Sequence, residues 1–124
     1  MWDFKINVDQ VMYSTGTVKE EHTYEWVVRL NQMGTELKGA IVNGRTLSGE
    51  ADNVCADAAI NGSIQDGKVD FVITYSGSCC AQEQMKFIGK LADDGKHITG
   101  NIQPRDTPRP PCHLWYGQVE ASKR

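Results

Sequence analysis

The chain has 124 residues, of which 40% are hydrophobic and 23% charged, the size and balance of a single domain with one core across 1–124. A formal net charge of -3, with no stretch that concentrates Lys and Arg, argues against a phosphate-neutralising surface and so against a nucleic-acid partner. No apolar run approaches the roughly 20 residues of a membrane-spanning helix, and the opening Met1-Trp2-Asp3-Phe4-Lys5 alternates instead of forming the apolar stretch of a signal peptide. The expectation is a protein with no membrane partner, its compartment left open.

Trp2, Phe4, Ile6 and Val8 alternate with Asp3, Lys5 and Asn7, a half-buried strand whose even positions face a core. A long connection is expected over about 10–22. From Tyr24 to Gln32, Trp26, Val28 and Leu30 share one face and Glu25, Arg29 and Asn31 the other. After Met33-Gly34, Leu37, Gly39 and Ile41 continue the alternation as the return arm of a hairpin. Two more hairpins follow. Ala59–Gln65 turns through Asp66-Gly67 into Lys68–Ser76, and Glu83–Ala92 turns through Asp93-Asp94-Gly95 into Lys96–Gln103. Cys112–Ala121 is the last strand, and no long amphipathic helical period occurs anywhere.

One phrase recurs through these strands: apolar-x-Gly-x-apolar, at Leu37–Ile41, Leu47–Ala51, Ile60–Ile64, Phe87–Leu91, Ile98–Ile102 and Trp115–Val119. In an extended chain i, i+2 and i+4 share a face, so each glycine lies on the apolar side. Glycine repeated in strand after strand lets a sheet bend until it closes on itself. With Leu47–Ala51 taken as part of a long excursion, the pattern predicts an all-β, single antiparallel up-and-down barrel of about eight strands. Tight turns gather at one end and long loops, at about 10–22, 43–58, 77–82 and 104–111, at the other. Counting Leu47–Ala51 as a ninth strand inverts the later polarity.

Cys55, Cys79, Cys80 and Cys112 fall in three of the connections at the long-loop end. Two disulfides, Cys55 with one of the adjacent pair and Cys112 with the other, are the first expectation, and such pairing would suit an exported protein. Free thiols are the second. A tetrahedral zinc site, with or without His113, is the third, because an adjacent Cys pair does not supply the short-knuckle spacing of structural zinc. No metal site and no cofactor is therefore expected. His22, His97 and His113 show no spacing that presents two nitrogens to one ion, and Ser76-Gly77-Ser78 has neither nucleophile-elbow nor phosphate-loop context. Asp52, Asp57 and Glu83 lie near the loop end, where solvated carboxylates are ordinary. No acid, base and nucleophile set points to an enzyme. Pro104–Pro111 reads as a stiff polyproline loop over the barrel end.

The Trp2-x-Phe4 opening, Leu30-x-Gln32 turning into Leu37-x-Gly39, Ile60-x-Gly62 before Val69-x-Phe71, then Phe87-x-Gly89, Ile98-x-Gly100 and the Trp115 strand resemble small bacterial barrels of the calycin-like type, the avidin and lipocalin proteins. The resemblance is one of rhythm along nearly the whole chain. It implies an up-and-down barrel of a kind that often holds small ligands at its open end, and it carries over no binding residue.

An eight-stranded barrel is just wide enough either to fill itself with side chains or to hold one small ligand. The inward aromatics Trp2, Phe4, Trp26, Phe71, Phe87 and Trp115 would fill the bore, whereas inward glycines at 39, 62, 89, 100 and 117 would leave room. The reading favoured here is a non-enzymatic binder of a small apolar or aromatic molecule at the loop end, lined by Trp26, Phe71, Phe87 and Trp115. The alternative is a packed barrel acting in protein contact or self-association as a homodimer.

Overall fold

In the computed structural model, residues 1–46, 58–75, 82–109 and 112–124 are described, residues 43–46 by backbone alone. Eight strands follow in chain order: β1 (Trp2–Tyr13), β2 (Gly16–Met33), β3 (Glu36–Thr46), β4 (Ala58–Gln65), β5 (Lys68–Tyr75), β6 (Gln84–Leu91), β7 (His97–Pro104) and β8 (His113–Lys123). Each pairs antiparallel with the next, and β1 pairs with β8 from Trp2↔Lys123 to Tyr13↔His113, closing the barrel. The closure leaves no bare edge on the first and last strands. The strand count and up-and-down order are those the alternation predicts.

The polarity of the connections is also as predicted, but the first of them is far shorter than expected. β1 and β2 are joined by Ser14 and Thr15 alone, so the long connection expected over about 10–22 is a strand hairpin. The alternation was obscured by a bulge. Pairing shifts between Val8 and Gln10 on β1, so the inward positions pass from Trp2, Phe4, Ile6 and Val8 to Val11. One extra residue inverts which side chains face the core, and the inverted continuation reads as loop. A second shift, between Val27 and Val28 opposite β3, leaves Val42 exposed. Residues 47–57, 76–81, 110 and 111 lie outside the described residues, and with them Leu47–Ala51, Asp52, Asp57, Ser76-Gly77-Ser78 and most of the loops expected at 43–58 and 77–82.

The turns at the opposite end are short. Asp66 and Gly67 both have positive φ, 52° and 78°, the left-handed pair of a two-residue hairpin turn.

Apolar residues face inward and polar ones outward, with Ile6, Val28, Met85 and Phe87 wholly buried. Phe71 and Phe87 stack at 4.6 Å between ring centroids, and Phe4 stands 6.4 Å from each. These rings fill the middle of the bore. The inward glycines do not open it. A Cβ on Gly39 would stand 1.9 Å from the Arg29 carbonyl oxygen, and one on Gly62 2.0 Å from that of Asp70. Gly89 and Gly100 face each other across β6 and β7, and a Cβ on either would meet the Phe87 ring at 2.6 or 2.7 Å. The glycines thus let neighbouring strands approach and let Phe87 lie across their backbone, so the space the sequence suggests is taken up by close packing.

Candidate functional site

The barrel has a chemistry-bearing end, where β1 and β2 run on beyond the core. Trp115 on β8 lies opposite Val11 of β1. Its indole stacks on Tyr24 of β2 at 4.5 Å between centroids and 14° between planes, and meets Trp26 at 5.6 Å and 51°. Tyr24 and Trp26 share a strand face at i and i+2, which is why both reach the same indole. All three are buried, Trp115 to 6% exposure. Among the described residues, Trp115 Nε1 is the buried side-chain polar atom with no hydrogen-bond partner. A buried N–H without an acceptor costs about 1–3 kcal/mol, so it calls for an explanation.

A polar rim continues this aromatic layer. His22, two residues before Tyr24, lies 6.1 Å from it ring to ring, and its Nε2 is 3.3 Å from Glu20 Oε1. The Tyr13 hydroxyl donates to Glu20 Oε2, and the Tyr13 ring lies 5.6 Å from that of His113. The Tyr13 hydroxyl first, then His22, holds the Glu20 carboxyl below its ordinary range; the same bond to Glu20 pushes the Tyr13 hydroxyl up. The geometry offers a flat aromatic layer with one N–H donor, bordered by an ionised carboxylate, two imidazoles and a phenol. Among the described residues it offers no nucleophile beside a base. Among the described residues no group of three or more His, Cys, Asp or Glu could hold a metal ion.

The loop end is also strapped. Glu83, buried to 7%, accepts from the Arg109 backbone N at 3.1 Å and from Arg109 Nε at 3.2 Å, while Arg105 Nη1 donates to Gln84 Oε1 at 3.1 Å. These bonds tie the connection after β7 to the start of β6. Glu83, read in sequence as one of the solvated carboxylates, is therefore a buried structural clasp.

Of the four lining residues expected from sequence, Trp26 and Trp115 come together at this end, and Phe71 and Phe87 sit deeper, in the ring stack of the mid-barrel. His22 and His113, distant in sequence, both border Glu20, whereas His97 lies at the tight-turn end with its Nδ1 2.8 Å from Asp94. Sequence reasoning missed Tyr13, Glu20, His22, Tyr24 and His113 as a group. The usable signal was Val11-x-Tyr13 followed by Ser14-Thr15-Gly16, a strand end and a turn hidden behind the bulge. Cys112 is buried where β8 begins; Cys55, Cys79 and Cys80 lie outside the described residues. The chain matches no protein-family model, no curated protein and no solved structure.

Proposed function

We propose that the protein binds a small, planar, largely apolar molecule at the loop end of the barrel, against Trp26, Trp115 and Tyr24 and above the Phe71–Phe87 floor. The observation that carries this reading is the buried Trp115 Nε1–H, a donor without a protein acceptor inside an aromatic layer. A ligand with a ring to stack and a carbonyl to accept that N–H satisfies both features. No chemical step is assigned to the site. In the same reading Cys112 pairs with a cysteine of the neighbouring connections, among Cys55, Cys79 and Cys80. What supports the pairing is the burial of Cys112 just before β8, together with the sequence positions of Cys55, Cys79 and Cys80 between β3 and β4 and between β5 and β6.

Coumarin, a neutral planar lactone, is a suitable probe. Its titration is expected to move the Trp115 indole N–H resonance downfield and to raise the melting temperature with ligand excess. Trp115→Phe keeps a ring but removes the donor, and should weaken binding by roughly tenfold, the worth of one good hydrogen bond. An unmoved Trp115 indole signal at saturating coumarin would overturn the assignment and leave the packed barrel acting through protein contact.

A further inference from the structure

We propose that the opposite, tight-turn end of the barrel holds a second and independent site, shaped for a small amphiphilic carboxylate. The strands arrive there with apolar inward residues, and the turns that join them, such as Asp66-Gly67, are too short to fold back over the bore. A cavity of about 230 Å³ results, lined by Trp2, Leu30, Leu37, Ile64, Leu91 and Ile98. Trp2, Leu37 and Ile98 form its buried floor, and Leu30, Ile64 and Leu91 are half-buried around its mouth.

Size, separation and charge fix the ligand class. An apolar cavity of about 150 Å³ takes a benzene ring, so 230 Å³ suits one substituted ring or a chain of about eight carbons. The packed Phe4, Phe71 and Phe87 rings stand between this cavity and the Trp115 layer, so its occupant is not the same molecule reaching through the bore. Lys123, at the end of β8, is the one charged side chain lining the cavity among the described residues, and the Gln32 amide is the polar side chain beside it. Of the carboxylates at this end, Asp3 is engaged with Arg124 at 2.9 Å and Asp94 with His97 at 2.8 Å. An apolar body with one negative head therefore complements the site, its tail among the leucine and isoleucine side chains and its head at the Lys123 ammonium.

Octanoate and 1-octanol, followed by heteronuclear NMR of the whole chain, separate the parts of this proposal. Octanoate is expected to shift the Trp2 indole, the Gln32 side-chain amide and the Gly95 amide while leaving the Trp115 indole unmoved. Leu91→Trp fills the cavity from its half-buried rim and should abolish the shifts. Lys123→Glu, at an exposed position that leaves folding intact, should weaken octanoate roughly fivefold and leave octanol unchanged, as expected for reversing one partly solvated ion pair. Shifts at Trp115 in place of Trp2, octanol binding as tightly as octanoate, or an octanoate affinity indifferent to Lys123→Glu would each overturn the proposal. Because the coumarin test reads Trp115 and this one reads Trp2, either site can fail alone.

Discussion

The two ends of this barrel are built from the same strands and differ in how far those strands continue. At the tight-turn end they stop together, and what is left is a ring of mostly apolar side chains with the Lys123 ammonium at its edge. At the loop end β1 and β2 run on past the core, and β8 stays paired with β1 as far as His113. The extension stacks Trp115 on Tyr24 and gathers Tyr13, Glu20, His22 and His113 around one carboxylate. Between the ends stands the phenylalanine stack. A short turn adds few polar side chains to what the strands already present, whereas an extended hairpin can carry a second layer of them, so chemical variety at each end follows connection geometry more than core composition.

The comparison breaks most severely at the partition itself. Phe87→Ala removes a wholly buried ring that packs on Phe71 and across Gly89 and Gly100, and should cost about 3–5 kcal/mol by urea denaturation. A loss under about 1 kcal/mol would show that the rings do not pack as a plug.

Next in size is the clasp, which exists only at the loop end. Glu83→Ala strands the Arg109 backbone N–H and should cost about 1–3 kcal/mol. Hydrogen exchange should accelerate around Arg105–Arg109 while the Gly34 turn is unchanged. Equal acceleration at both ends would mean that the clasp supports the whole barrel.

The smallest effect separates the ends by pH. Glu20 at the loop end and Asp3 and Asp94 at the other are all held low, Glu20 chiefly by Tyr13, Asp3 by Arg124 and Asp94 by the Lys96 backbone N–H. Their contribution to stability is fully present above the ordinary carboxylate range and is lost as pH falls through their lowered values, so both ends share an acid flank. Tyr13 is pushed up by Glu20, so its contribution is present below its ordinary 10.0 and lost as pH rises through the raised value. That alkaline flank belongs to the loop end. Melting curves of the protein and of Tyr13→Phe should differ near neutrality and converge at high pH; a constant gap would count against the Tyr13–Glu20 bond.

Much of the fold was legible because alternation has a fixed period. Trp2 to Val8, Val69 to Tyr75 and Ile98 to Ile102 each name their inward face without reference to any other strand. The loop-end site was half legible. Trp26 and Trp115 stood out as inward aromatics, but the bulge between Val8 and Gln10 changed the parity of β1 and hid the hairpin that brings Tyr13 and Glu20 to them.

The sequence by itself determined an all-β chain, its inward and outward faces, its turns at Gly34, Asp66-Gly67 and Gly95, and the barrel order, since these depend on side-chain period and on local backbone preference. Only the tertiary structure decided what the inward glycines are for. Seen along one strand, Gly39 or Gly62 is an absent side chain and therefore room; seen across two strands, the room is occupied by the Arg29 or Asp70 carbonyl of the neighbour. The same holds for His22 and His113, which no spacing relates and which register brings to one carboxylate. Close approach between strands is set by coiling and pairing over the whole barrel, which no local period encodes.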